Sequence, residues 1–418
     1  MVKSYQNQSI IFNRLKQSTT GLWSVRILLI LVLIALFSGF LANDKPLYCK
    51  LDGKTHFPVF KSWLVDAGLS GWDKNLVNAE WKSLDYESVV FPPVPYLPTT
   101  QDLYNRGCVG PFDNQKIPSL RWKHWLGTDR LGRDVLAGMI HGTRTALVVG
   151  LISMVIASII GLFFGSLAGY FGNNSFRPSR ASIFSYSIGI LLFIWWGVLG
   201  RARHWLFAEM EGNPGTEVFI RFLILVVFLF GAFCLSLLLQ RISFFKKDLL
   251  IPVDSIILRL IEIFKSLPGL LVILALISLL KQPSIFYVMA IIGLLRWTSI
   301  AQYLRAELLK VREMEFIQSA RVMGFSDWRI IFRHALPNAM TPVFITIAFG
   351  IASAILLEAF ISFLGIGLAP EEVTWGSLLN DARQNFSAWW LALFPGLAIF
   401  ITVTIFNLIG DALRRQKS

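Results

Sequence analysis

The residues equipped for chemistry are few and scattered along the chain. Asp129, Arg133 and Asp134 stand together in HWLGTDRLGRD, which begins at His124. Two carboxylates that close suit metal binding or acid–base work, but nothing beside them completes such a site. Gly127 and Gly132 permit tight turns, so the three charges are read as hydrogen-bonding ties within a turn. Glu358 lies in the apolar run ASAILLEAFISFLGIG, Ala352–Gly367. An ionisable group inside a membrane span is costly and becomes a functional candidate by default. Two roles stay open for it, a structural one within the bundle and one in translocation. A proton relay would need a chain of carboxylates or histidines, which this run lacks. Cys49 and Cys108 fall in one long polar stretch, with no His or second Cys at metal-ligand spacing, so no metal site is expected. Cys234 sits in an apolar run and reads as a small buried hydrophobe. The five histidines form no catalytic constellation, and no G-x-x-x-x-G-K-[ST] pattern for ATP hydrolysis occurs.

The elements that must position these groups are membrane spans. The chain has 418 residues, is 55% hydrophobic and has a mean hydropathy of +0.59. Its apolar residues come in blocks of spanning length, which predicts an all-α polytopic membrane protein. About eight spans are expected, near 25–42, 145–170, 183–200, 217–240, 261–280, 284–303, 340–365 and 389–410. The fifth is short and must borrow Ile261, Ile263 and Phe264, with Lys265 snorkelling from its end. The net charge of +13 comes from basic residues crowded into short loops. No basic face interleaved with aromatics accompanies them, so nucleic acid is not an expected partner. Lys3, Arg14, Lys16 and Arg26 precede the apolar run Ile27–Leu41. Phe40-Leu41-Ala42 lacks the small residue that cleavage prefers, which favours an uncleaved anchor over a signal peptide.

Basic residues also set the orientation. Lys3, Arg14 and Lys16 share a side with Arg177, Arg180, Arg241, Lys246, Lys247, Arg305, Lys310, Arg312, Arg321, Arg329, Arg333, Arg414, Arg415 and Lys417 if the spans alternate. Glu209, Glu211, Glu217, Glu371, Glu372 and Asp381 fall on the other side; Arg201 and Arg203 oppose the trend. Both tails, 1–24 and 412–418, are therefore expected in the cytoplasm. The stretch 43–142 is then periplasmic. It is Pro-rich at Phe91-Pro92-Pro93-Val94-Pro95 and carries Trp63, Trp72, Trp81, Trp122 and Trp125. That mixture suggests a small folded cap, with a loose interfacial loop as the alternative. In that oxidising compartment Cys49 and Cys108 are expected to pair as a disulfide closing a loop of about sixty residues. Gly161, Gly165 and Gly169 repeat every four residues in the second span. Such spacing allows close helix packing; a pore-lining stripe is the other reading.

A polar, amphipathic island, EFIQSARVMGFSDWRIIFRHALPN from Glu315 to Asn338, interrupts the apolar blocks. It reads as two short helices. The first carries Phe316, Ala320 and Met323 on one face and ends at Gly324 in a left-handed turn. Ser326 and Asp327 start the second, by hydroxyl capping and by charge at the positive dipole end. Phe325, Trp328, Ile331, Phe332 and Ala335 line it, and Pro337 stops its simple continuation. A helix–Gly–helix at the surface of a membrane protein points to something docking there.

This island resembles the signature loop of ABC importer permeases, in which Glu-Ala-Ala is followed by Gly and then Leu-Pro. Here Gln318-Ser319-Ala320 takes the triplet, with Gly324, Leu336 and Pro337 at the family spacing and His334 where the general pattern has Ile. The wording GFSDWRIIFRHALPN is similar to the dipeptide/oligopeptide/nickel branch. So are GTDRLGRD at Gly127–Asp134, EAFISFLGIG around Glu358, DSIILR at Asp254–Arg259, and the final span from Trp389. The resemblance covers roughly 20–45, 120–172 and 254–414. It does not cover the apolar pair inserted at about 181–240, nor most of the polar loop.

The resemblance implies a permease bundle of six family-like helices plus the inserted two, over 143–411, after a first span at 25–42. It implies a coupling loop at 304–338, with Gln318, Ser319, Ala320, Gly324, Phe325, Trp328, Leu336 and Pro337 as its contact residues. The implied partners are a second permease subunit, two cytoplasmic ATPase subunits that hold ATP and Mg, a periplasmic solute-binding protein, and membrane lipid. No cofactor is expected on this chain itself. Two other classes compete. A secondary transporter would show inverted repeats and intramembrane charges, and a membrane-bound enzyme would need catalytic groups near the bilayer. The inserted pair is read as peripheral and lipid-facing, since Ser182, Ser185, Ser187 and Ser236 are nearly its only polar side chains.

Overall fold

The structure, a computed structural model, describes residues 18–414 apart from 52, 67, 73–75, 77–79, 175, 211–213, 280–283 and 367–371. Lys3, Arg14, Lys16, Glu211, Glu371, Arg415 and Lys417, which entered the charge pattern, lie outside the described residues. In chain order the elements are α1 (Thr19–Leu36), β1 (Tyr48–Leu51), β2 (Lys54–His56), α2 (Pro58–Asp66), β3 (Ser88–Val90), α3 (Val135–Phe171), α4 (Arg180–Leu192), α5 (Ala202–Met210) and α6 (Pro214–Leu239). Next come α7 (Val253–Ser266), α8 (Gly269–Ser278), α9 (Ile285–Val311), α10 (Glu315–Val322), α11 (Asp327–Ile330), α12 (Leu336–Phe363), α13 (Trp375–Gln384) and α14 (Trp389–Arg414). Two compact units result, 1–166 with 261–418, and 167–260.

Among the described residues seven helical stretches are long and apolar enough to cross a membrane: Thr19–Leu36, Val135–Phe171, Arg180–Leu199, Gly215–Leu239, Ile285–Val311, Asp327–Phe363 and Trp389–Arg414. The protein is an all-α polytopic bundle with one small sheet. The first span starts earlier than expected, because Ser18 accepts the Gly21 N–H at 3.2 Å and caps α1. The expected fifth span is corrected. Instead of one helix over 261–280, α7 and α8 meet at 76°. Pro268 has no N–H to donate and forces Leu267 out of the helical region, so the helix breaks there. Asp254, Arg259, Glu262 and Lys265 punctuate α7 at helical spacing and give it a polar face, and α7 with α8 together are long and apolar enough for one bent span. Lys265, which is exposed, donates to the Gln302 amide oxygen of α9.

In the larger unit α3 and α9 run side by side in the same direction. Ser153 donates to the Met289 carbonyl at 3.0 Å. A Cβ on Gly161 would come 2.7 Å from that of Ile300, and one on Gly165 2.9 Å from the Ala301 carbonyl oxygen. These glycines let the two backbones touch, which larger side chains would prevent. Gly169, one turn on, is also buried. Since α3 begins at the polar cap, α9 ends at the opposite pole of the unit.

The stretch after α1 is folded. Strands β2, β1 and β3 form an antiparallel sheet in that order, with Cys49 opposite His56 on one side and Val89 on the other. Trp81 is buried, and the Tyr96 hydroxyl donates to the Trp122 carbonyl at 2.8 Å. Of the five tryptophans noted, Trp63 and Trp125 are exposed. The disulfide expectation is corrected here, for Cys49 and Cys108 are both free thiols. Cys49 is enclosed in β1, whereas Cys108 packs with Val135, Ala388 and Trp390 in a separate cluster.

The HWLGTDRLGRD turn fastens this cap to the bundle. Gly127 and Gly132 have φ of 79° and 82°. Asp129 accepts the backbone N–H groups of Leu131 and Arg133, each at 2.8 Å, and the Arg133 guanidinium. Asp134 caps α3 by accepting the Ala137 N–H at 2.7 Å. Its other oxygen lies 2.8 Å from His124 Nδ1, while His124 Nε2 is 3.2 Å from Asp102. Arg133 also reaches Asp381 of α13 at 3.2 Å. Burial, with Asp129 behind it, pushes the Asp381 carboxyl above its usual range, and Arg133 offsets part of that rise.

In the smaller unit α4 and α6 pack as a hairpin. Ser182 and Ser236 share a hydroxyl hydrogen bond of 3.0 Å, and a Cβ on Gly189 would lie 2.9 Å from that of Ala232. Arg201 pairs with Glu217 at 2.5 Å, which neutralises one of the two arginines that opposed the charge pattern.

This packing has two measurable consequences. Gly132→Ala would set a Cβ 2.2 Å from the Asp102 carbonyl oxygen at a φ of 82°. It should cost roughly 2 kcal/mol or more, read as a lowered Tm of the solubilised protein; an unchanged Tm would contradict the geometry. Alkylation of the unfolded chain without reductant should modify both Cys49 and Cys108, and reaction only after reduction would restore the disulfide.

Candidate functional site: a helix–glycine–helix and a half-buried arginine

The island between α9 and α12 folds as α10, a turn at Gly324, and α11. Gly324 has φ 75°, its N–H donates to the Arg321 carbonyl at 2.9 Å, and the Phe325 N–H reaches the Ala320 carbonyl at 3.2 Å. These two bonds make a complete Schellman ending, which the left-handed glycine permits. A Cβ at Gly324 would meet nothing within 4 Å, so its requirement is conformational and not steric. Ser326 occupies the N-cap position of α11, yet its hydroxyl makes no capping bond; the backbone carbonyl accepts the Ile330 N–H instead.

The faces differ from those expected. Ile317 and Ala320 anchor α10, while Ile330, Ile331 and Ala335 anchor α11 and the turn beyond it. Phe316 and Met323, expected to share a face with Ala320, are exposed, as are Trp328 and Phe332. Val322 is 89% exposed. Trp328 and Phe332 stack at 5.9 Å, while Phe325 lies between the Arg329 guanidinium at 4.4 Å and the His334 ring at 6.1 Å. Gln318 donates to the Arg312 carbonyl at 3.3 Å, and Ser319 to that of Glu315 at 2.9 Å.

Pro337 does not stop the helix. A π-helical turn, Ile331–Ala335, carries α11 into α12, and the Leu336 N–H bonds five residues back to the Ile331 carbonyl. The wider turn accommodates a residue that lacks an N–H and whose ring would clash with the carbonyl four residues earlier. Leu336 and Pro337, both half-buried, thus begin the span.

Glu358 is buried near the cap end of α12 and accepts the Ser362 hydroxyl at 2.7 Å. Thr374, which caps α13, also hydrogen-bonds it. The group therefore ties α12 to the start of α13. Sequence reasoning passed over Arg296, an ionisable side chain in the apolar first half of α9. Its signal was available, a lone cation in IIGLLRWTSI. Arg296 donates to the Ser353 hydroxyl of α12 and lines a cavity of about 620 Å³ with Ser299, Tyr303, Thr346 and Arg414.

Comparison with known proteins agrees with this architecture. Residues 250–417 match the family described as "Binding-protein-dependent transport system inner membrane component". The chain is 28% identical over 413 residues to the inner membrane ABC transporter permease protein YejE of Escherichia coli K12, covering 96% of this chain and 94% of that one. It is 26% identical to the peptidoglycan transport system permease protein YejE of Agrobacterium fabrum, over 96% and 89% of the two chains. Against the dipeptide transport system permease protein DppC of Alkalihalophilus pseudofirmus the figures are 28% identity over 70% of each chain. The two YejE alignments run through the region of the inserted pair. Seven apolar helices and one bent pair among the described residues, a surface helix–glycine–helix and these matches lead to one conclusion: residues 250–417 carry the inner membrane component of a binding-protein-dependent transport system, and the chain is similar over its length to permease subunits of ABC importers.

Proposed function

We propose that this subunit forms half of an ATP-driven path importing peptides or peptide-bearing solutes, and that α10–Gly324–α11 is where a separate ATPase docks. The observation that carries this reading is the exposed apolar set Val322, Met323, Trp328 and Phe332, held rigidly at the pole away from the cap. An apolar surface of that kind, rimmed by Arg321, Arg329 and Arg333, fits a protein partner. The Schellman turn and the continuous π-to-α junction make the element a lever. Motion of the ATPase pair on ATP binding would pass through α11 directly into α12, which is the alternating-access scheme that the family implies. ATP and Mg belong to those partner subunits. A solute-binding protein would deliver at the cap, and a second permease subunit would complete the path. Both termini are assigned to the cytoplasm from the basic-residue pattern. Peptide chemistry is supported by relatives named for dipeptide and peptidoglycan transport.

Within this reading Glu358 is a structural tie, and Gly161, Gly165 and Gly169 serve helix packing. The inserted α4–α6 pair is peripheral and lipid-facing. Its most apolar windows are only 17% and 11% buried, and its Ser182 and Ser236 hydroxyls are used on each other.

Gly324→Val should strain the turn by about 1 kcal/mol or more and misplace α11. ATP-dependent peptide uptake should then fall while the subunit still reaches the membrane at normal abundance. Normal uptake would remove the coupling assignment. Cysteines placed along 183–199 and 219–239 should resist a water-soluble thiol reagent. A periodic stripe of labelled positions, protected by substrate, would instead put the inserted pair in the path.

A further inference from the structure

We propose that the cavity around Arg296 is a subsite for an anionic group of the transported solute, specifically a peptide carboxylate. The inference deepens the import reading above and rests on it. A guanidinium within a membrane-spanning helix is costly to bury and persists only with compensation. Here the bundle supplies only a neutral acceptor, the Ser353 hydroxyl, which fixes the orientation of the guanidinium. Among the described residues no carboxylate lies within ion-pair distance of Arg296. Among the described residues no acidic side chain lines the cavity, while a second cation, Arg414, does. Two positive charges with no carboxylate of the described residues in the lining leave a vacancy of one sign. The hydroxyls of Ser299 and Tyr303 add donors, and Phe349 adds an apolar wall.

A carboxylate suits this lining better than a cation or a neutral solute. Guanidinium binds carboxylate in a two-pronged geometry, and the pair gains strength away from bulk water. The cavity volume of about 620 Å³ also falls within the range of small-molecule sites. Its location carries the functional weight. Arg296 and Ser353 lie on α9 and α12, the helices that flank α10 and α11 in sequence. Movement of that lever would therefore shift the two walls of the cavity relative to each other, changing the grip on the anion. A cation-lined vestibule would also disfavour solutes whose charge there is positive, giving the path a selectivity of its own.

The test uses the assembled importer in nanodiscs, with Cys49, Cys108 and Cys234 replaced and Ser299→Cys as reporter. Ser353 is left in place so that Arg296 keeps its partner. Relative to its rate with a free thiol in solution, anionic sulfonatoethyl methanethiosulfonate should modify the reporter faster than cationic trimethylammonioethyl methanethiosulfonate, by roughly tenfold or more for unit charges several ångströms apart. Arg296→Gln should abolish that preference, and Arg296→Lys should retain it, which separates loss of charge from loss of fold. Millimolar alanyl-alanine should protect the reporter, whereas its C-terminal amide should not. Equal normalised rates for the two reagents would overturn the proposal, because a carboxylate from the second permease subunit would then already occupy the site, and so would a preference indifferent to Arg296→Gln. Equal protection by peptide and amide, or protection by neither, would remove the carboxylate assignment. ATP-dependent uptake of labelled alanyl-alanine by the cysteine-replaced parent tests the import reading separately. Intact uptake without reagent preference would sink the subsite alone.

Discussion

Inside a bilayer the backbone has no water to bond, so every departure from regular helix must be satisfied by the chain itself. That constraint organises this protein. At Pro268 the helix breaks, and its two arms part at 76°. At Pro337 it does not break, because a π turn widens the backbone and the Leu336 N–H finds the Ile331 carbonyl. The difference matters for function. A break would leave α11 free to swivel on α12, whereas a continuous helix transmits displacement along its length.

The same rule governs charge. Arg201 meets Glu217, Arg133 meets Asp129 and Asp381, and Lys265 meets Gln302. His124 is wholly enclosed between Asp134 and Asp102 and stacked on Tyr96 at 4.4 Å. These pairs stand at helix ends and in the cap, where they fix elements together. Trp390 Nε1 donates to the Thr128 carbonyl at 3.1 Å, and Trp375 Nε1 to that of Met139 at 3.1 Å, so α14 is latched to the turn before α3 and α13 to the start of α3 itself. Arg296 differs in place, since it lies in the apolar half of α9 and hydrogen-bonds the Ser353 hydroxyl of α12.

At the other pole rigidity is concentrated in a few residues. The Schellman bonds hold α10 against α11 without crowding Gly324, and Arg329, Phe325 and His334 form a stack that stiffens the junction. Buried Ile317, Ile330 and Ile331 seat both short helices on the bundle. The side chains left outside are apolar and unscreened, a combination that suits a docking surface.

The sequence by itself determined the membrane class, most of the spans, the left-handed turn at Gly324 and the charged turn at Gly127–Asp134. Each of these arises from a local rule, namely apolar run length, glycine's freedom at positive φ, or short-range hydrogen bonding. The resemblance carried by Gln318–Pro337 supplied the family. Tertiary structure decided the rest. Helical periodicity named the stripe through Phe316, Ala320 and Met323, but which side of α10 meets the bundle depends on distant Ile330 and Ile331, and the buried side proved to be that of Ile317 and Ala320. Cys49 and Cys108 shared a polar loop, yet sheet pairing enclosed one while α14 gathered the other. Whether Pro337 breaks or merely widens a helix is set by packing on both sides of it. The meaning of Arg296 was decided last, because a charge in an apolar run is only a cost until folding shows that no carboxylate of the described chain answers it.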